Sequence, residues 1–229
     1  PMNPLPEAFY NRLVEAFRSY MLVGGMPEAV ATYTETGSYR YSSDIVNEII
    51  QGYQDDFAKY GAKANPLLLR QTLISVAHQA GAKFVYSRVE GQYRSAEVKV
   101  ALEMLKDAGL IIPTYHTDAN GVPLGAEINE RVVKYLIHDT GVLLGILGID
   151  DDIDDSIKEM MVADSIDLVD KGHVAEMMAG LELVKYSSPQ KRHQLYYWQN
   201  MNKGTCAEVD YVIDRKSTRL NSSHSDRSR

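Results

Sequence analysis

The chain has 229 residues, 45% of them hydrophobic, with 24 Lys and Arg against 31 Asp and Glu, a formal net charge of −7. Such a length and apolar content allow a sizeable core in one large or two small domains, and the acidic balance argues against a strongly basic nucleic-acid face, leaving at most a local basic patch. The single cysteine, Cys206, excludes an internal disulfide framework and suits a reducing cytoplasm, and no apolar run approaches the roughly 18 residues of a membrane span.

The two ends read differently from the body. Pro1-Met2-Asn3-Pro4-Leu5-Pro6 looks like an interior linker and not a translation start, and no secretory signal follows it. At the other end, Asp214-Arg215-Lys216-Ser217-Thr218-Arg219-Leu220 and the residues to Arg229 resemble the translation of a sequencing-library adapter, with Leu220 as the one apolar side chain. The natural segment is therefore expected to end near Ile213, with residues 214–229 a non-native, disordered tail. Without that tail the body carries 19 basic and 29 acidic residues. Both ends are expected to be cuts in a longer protein.

A helical period dominates the first third. Glu7 to Met21 sets Phe9, Leu13, Phe17, Tyr20 and Met21 on one face before Gly24-Gly25-Met26-Pro27 breaks the helix. A second short helix restarts at Met26 to Val30. Ser43 to Tyr60 makes a third, with Ser43 or Asp44 as N-cap and Gly61 as its stop. Residues 1–63 form a helical lead-in on this reading.

Residues 64–135 have a more specific rhythm. Pro66 opens a helix over Leu67 to Ala80, Ala82 to Tyr86 is a short apolar stretch, and Ser95 to Ala108 is a helix capped by Ser95 and ended by Gly109. Leu110 to Tyr115 reads as a strand, Asp118-Ala119-Asn120-Gly121 as a turn, and Val122 to Ile128 as the returning strand. Helix, link, helix, hairpin is the order of a winged helix, whose second helix enters the major groove in DNA-binding examples. The cations available for nucleic-acid contact are Arg88, Arg94, Lys99 and Lys106, set against Glu90, Glu97, Glu103 and Asp107. Because these charges nearly cancel, DNA contact and a structural or protein-docking role both stay open.

Beyond the hairpin, Leu136 to Leu147 reads as the start of a buried helix. Asp150-Asp151-Asp152-Ile153-Asp154-Asp155 lacks the glycine that an EF-hand loop needs at its sixth position, so it reads as a solvated acidic loop. Lys171 to Leu183 is a further helix. Leu195 to Asn200 and Glu208 to Ile213 then read as two strands of a hairpin with an acidic pair at the start of the second. His78, His116, His138, His173 and His193 show no pair at metal-ligand spacing, and no histidine or second cysteine lies near Cys206 in sequence to activate it.

Gly24-Gly25-Met26-Pro27-Glu28, Tyr53 to Tyr60, Lys83-Phe84-Val85-Tyr86-Ser87, Leu102 to Ile111, Asp139-Thr140-Gly141-Val142-Leu143, Lys171 through Glu176 to Leu183, Tyr196-Tyr197-Trp198 and Glu208-Val209-Asp210 together resemble one family. It is the uncharacterised domain of DUF 4143 type that follows an AAA-type P-loop ATPase module in many bacterial and archaeal proteins. The resemblance implies an upstream ATPase module as partner, with ATP and Mg²⁺ as cofactors of the parent protein. The chain itself has no G-x-x-x-x-G-K-[ST] run, so no cofactor is expected in this segment.

The same resemblance implies a fold and a site. The fold expected is α+β and mainly helical: the lead-in, the winged helix-like middle, and an incomplete PD-(D/E)XK nuclease-like α/β lobe over residues 136–213. Glu176 matches that fold's helix acid and Asp210 its strand acid, together implying Mg²⁺ ligands at a catalytic site, whereas the third-strand acid-spacer-lysine has no counterpart. A site with two of its parts should not cut DNA. The expected role is then a non-catalytic C-terminal module coupling an ATPase to a nucleic-acid or protein target. Two alternatives stand beside it: a protein-interaction scaffold or self-associating module with a degenerate nuclease fold, and a Mg²⁺-dependent DNA nuclease when intact. All three place it in the cytoplasm.

Overall fold

A computed structural model describes residues 6–60, 65–121, 123–148, 171–186, 194–200 and 207–213. The expectations for 149–170, which hold the acidic loop, for 214–229, and for His193 and Cys206 lie outside these residues. Within them the chain is mixed α+β, with seven α-helices and a four-stranded mixed sheet.

Three helices lead. Helix α1 (Glu7–Val23) buries Met21, Leu22 and Val23 at its C-terminal end, where Gly24 takes φ +79°. Pro27 opens α2 (Pro27–Thr36), its missing N–H costing nothing in a first helical turn. Helix α3 (Tyr39–Phe57) starts four residues before the expected Ser43, because the Ser38 hydroxyl caps it by accepting the Tyr41 N–H at 3.3 Å. A short 3-10 turn, Ala58–Tyr60, follows.

Helix α4 (Pro66–His78) has Pro66 in its first turn, as expected, and Asn65 as its cap, accepting the Leu67 N–H at 2.9 Å. Helix α5 (Ser95–Asp107) begins as expected but is not capped by Ser95: the Glu97 carboxylate reaches back to the Arg94 N–H at 2.8 Å. Gly109 closes it at φ +77°. Between the two helices the apolar stretch forms no regular strand, although Phe84 donates its N–H to the Val133 carbonyl at 2.9 Å.

Strand β1 (Ile111–Thr117) leads to a turn in which Ala119 takes φ +54°. The returning strand lies later than expected. Leu124–Glu127 is a 3-10 turn, and β2 (Ile128–Ile137) pairs antiparallel with β1 from Ile111↔Ile137 to Thr117↔Ile128. The run Val132 to Ile137, buried at every position, therefore ends a strand, and the helix read from Leu136 begins only at α6 (Thr140–Ile146). Asp139 caps α6 by accepting the Val142 N–H at 3.1 Å.

Helix α7 (Lys171–Tyr186) and strands β3 (Leu195–Gln199) and β4 (Glu208–Val212) complete the chain. β3 pairs parallel with β1 and antiparallel with β4, so the two hairpins share one sheet of order β2-β1-β3-β4. Helix α7 covers one face of it; α4, α5 and Phe84 cover the other, where Phe84 meets Tyr135 edge to face at 5.5 Å. One apolar cluster runs from Met21 through α3 to α6 and on to Met177, Met178 and Leu181 of α7.

Candidate functional site

A lysine inside the apolar run Val132-Val133-Lys134-Tyr135-Leu136-Ile137 demands partners, because a buried ammonium is costly unless paired. The register sets Lys134 beside Thr114 and Leu195, with Tyr197 one step along the same face. From α7, Glu176 meets the Lys134 ammonium at 3.0 Å; from the start of β4, Glu208 meets it as well. The ammonium also lies over the Tyr197 ring, 5.1 Å from its centre. Three elements far apart in sequence thus converge on one lysine.

The surroundings are tight. Tyr211 donates its hydroxyl to the Glu176 backbone carbonyl at 2.8 Å and lies against Gly180, one turn along α7. Gly81, at φ +75°, approaches α7 so closely that a Cβ there would meet His173 and come within 3.0 Å of the Glu176 carboxylate. His116, fully buried, packs edge to face on Tyr197 at 5.5 Å, and its Nε2 lies 3.2 Å from the Gln199 carbonyl.

The electrostatics follow from burial and pairing. Burial works against the Lys134 charge, but the hydrogen bonds to Glu208 and Glu176 outweigh it and raise its pKa. Glu176 is raised too: burial comes first, the lysine opposes it, and Asp210 and Glu208 add to it. Burial, then the Glu208 carboxylate, push the Tyr197 hydroxyl up to about 12. Burial also raises Tyr211.

Of the two acids expected at a metal site, Glu176 is half-buried and paired with Lys134, whereas Asp210 is exposed and acts on Glu176 through its charge. Among the described residues no group of three His, Cys, Asp or Glu side chains is placed to hold a metal ion. Lys134, Glu208, Tyr197 and Tyr211 were not expected to belong to the cluster. Lys134 carried the one usable signal, a lone charge in a strand-length apolar run.

The four cations considered for nucleic acid lie on α5 and in the segment just before it. Arg88 ends a 3-10 turn, Arg94 precedes α5, and Lys106 is held by Glu103 one turn away. Lys99 alone of the four lines the open groove of about 1000 Å³ between α5 and the β1–β2 hairpin. There Lys99 and Arg131 face Asp118, Glu127 and Glu130.

A second conspicuous feature lies on α1. From Glu7 to Leu13 every residue of the helix is exposed, and Phe9, Tyr10, Leu13 and Phe17 keep 62%, 59%, 57% and 49% of their surface open. The expected amphipathic helix is present, but most of its apolar face points away from the core.

Residues 14–153 match the family model described as Domain of unknown function (DUF8612). The chain belongs to DUF8612. No curated protein and no solved structure matches it. Membership of DUF8612 corrects the resemblance to the DUF 4143-type domain of AAA-type ATPases and removes the ground for an upstream ATPase module. The motifs behind that resemblance have local packing roles here. Gly24-Gly25 and Asp139-Thr140-Gly141 interlock: a Cβ on Gly24 would strike the Asp139 carboxylate, and one on Gly141 the Val23 carbonyl. No helix among the described residues is long and apolar enough to cross a membrane.

Proposed function

We propose that this DUF8612 chain is a protein-interaction module with no reaction of its own. The observation that carries the reading is the open apolar row on α1. A helix of this length gains little stability alone in water, and its aromatic side chains are the type enriched where proteins meet. Its C-terminal end is fastened among the described residues by Met21 to Val23, by the Lys185–Tyr20 hydrogen bond of 2.8 Å and by Ser19 against Tyr39 at 2.9 Å.

The rest of the chain serves as the frame. Its α4, α5 and β1–β2 hairpin support a winged helix-like middle, and α7 with β3 and β4 supports a degenerate nuclease-like lobe. In that lobe Lys134 pairs with Glu176, one of the two acids expected to hold Mg²⁺, and with Glu208, which favours a structural ion cluster over phosphodiester chemistry. The near-balanced charges of the α5 groove disfavour DNA, whose binding rests on clustered cations. The single cysteine supports a cytoplasmic setting.

A photo-crosslinking amino acid at position 13 or 99, introduced into the full chain in cells, tests this. Protein adducts from position 13 are expected. Nucleic-acid adducts from either position, or Mg²⁺-dependent DNA cleavage that Glu176→Ala abolishes, would replace the reading.

A further inference from the structure

We propose that the cleft where α3, α4 and α6 meet binds a small organic monoanion, a carboxylate carrying a short aliphatic body. The cleft holds about 280 Å³, near the lower end of ligand-sized cavities and equal to the liquid volume of roughly nine waters. Its occupant is therefore small.

Helical spacing builds two of the walls. Asn47, Ile50, Gln51 and Gln54 lie at i, i+3, i+4 and i+7 along α3, and Arg70, Leu73 and Ile74 at i, i+3 and i+4 along α4, so each set shares one helix face. Gly145 and Ile146 of α6 supply the third side. A Cβ on Gly145 would meet the Ile50 Cδ1 at 2.8 Å and the Asn47 Oδ1 at 3.3 Å, so the bare glycine lets α6 close against α3. Ile50 and Leu73 are buried, Ile74 and Ile146 half-buried, and together they make an aliphatic floor. Asn47 and Gln54 are half-buried as well, whereas Gln51 and Arg70 are exposed.

Charge decides the class of ligand. Arg70 is the one ionised side chain lining the cleft, and among the described residues it has no ion-pair partner. The side-chain amides of Asn47 and Gln54 have no hydrogen-bond partner among the described residues either, while Gln51 already donates to Asp55 at 2.9 Å. A guanidinium presents two parallel N–H groups that match a carboxylate, and the two amides can serve a second polar atom beside it. One cation balances one negative charge. A phosphate monoester, with nearly two, would stay half-compensated on a chain whose net charge is −7.

Hexanoate titrated into the full chain, followed by calorimetry and saturation-transfer NMR, tests the site. Saturable binding in the millimolar range is expected, with hexanamide, uncharged and of the same shape, weaker by about tenfold or more. Arg70→Gln should weaken hexanoate about tenfold and leave hexanamide unchanged, without lowering the melting temperature, because the side chain is exposed. Ile74→Trp should fill the floor and abolish both. No saturable binding of hexanoate, equal binding of hexanoate and hexanamide, hexanoate binding indifferent to Arg70→Gln, or tighter binding of hexyl phosphate than of hexanoate would each overturn the proposal. None of these readouts involves α1, so the cleft and the interaction-module reading stand or fall separately.

Discussion

The Asp139 carboxylate accepts the backbone N–H of Gly25 at 2.6 Å, across 114 residues of sequence. Its other oxygen accepts the Val142 N–H at 3.1 Å and caps α6. One buried side chain thus ties the break after α1 to the start of α6, and the α1 end is held in place by it.

Asp139→Ala should destabilise the chain by about 2–4 kcal/mol, since it removes a helix cap and a charge-assisted hydrogen bond together and leaves the Gly25 N–H without its acceptor. Asp139→Asn retains an acceptor and should cost about 1 kcal/mol. Gly24→Ala should cost at least as much as Asp139→Ala, because Gly24 takes φ +79° and a Cβ there strikes Asp139. Urea unfolding of the three variants checks this order.

Lys134→Ala leaves Glu176 and Glu208 facing each other with no cation between them. A loss of about 3–5 kcal/mol is expected, as for other broken buried ion pairs. Replacing all three, Lys134→Met with Glu176→Gln and Glu208→Gln, should recover most of it, because no uncompensated charge remains. A triple variant no more stable than Lys134→Ala would mean that the cluster does more than cancel its own charges.

The Tyr197 hydroxyl is buried with no hydrogen-bond partner among the described residues. Tyr197→Phe should therefore be neutral or stabilising by about 1 kcal/mol, the ring keeping its place beneath Lys134. Thermal melts at neutral pH provide the comparison.

Alkaline pH should unfold the chain through the same cluster. Tyr197 is raised to about 12, so the folded state holds this proton more tightly than the unfolded chain, where tyrosine titrates near 10. Its contribution is complete below about pH 10 and is lost as pH rises toward 12. Lys134, also raised, acts in the same direction: its stabilisation is full below the ordinary lysine value and disappears as pH climbs through the folded one. Stability measured from pH 9 to 12 should fall less steeply in Tyr197→Phe than in the parent chain.

Magnesium should leave the melting temperature unchanged, because the Glu176 carboxylate already has the Lys134 ammonium as its partner. A rise that saturates with Mg²⁺ and disappears in Asp210→Asn would show instead that Asp210 and Glu176 bind the ion.

Local chemistry makes much of the architecture legible in the sequence. Pro66 placed the start of α4, Gly109 the end of α5, and apolar periodicity the existence of α1 and α3, because these depend on neighbours within a few residues. Where two local signals overlapped, the sequence was ambiguous. Val132 to Ile137 is apolar except for Lys134 and only His138 and Asp139 separate it from α6, so period alone could not say where β2 ended and α6 began.

Contacts across the fold were decided by tertiary structure alone. That β3 would pair with β1 in parallel, bringing Tyr197 and Glu208 to Lys134, depends on the packing of α7 and not on any local pattern. The same holds for α1. Its sequence established an apolar row, but a row has no direction until a core forms, and the core took Met21 to Val23 and left Phe9, Leu13 and Phe17 in water. Sequence determined which residues could be buried; the limited area of the sheet and helices that pack together decided which of them were.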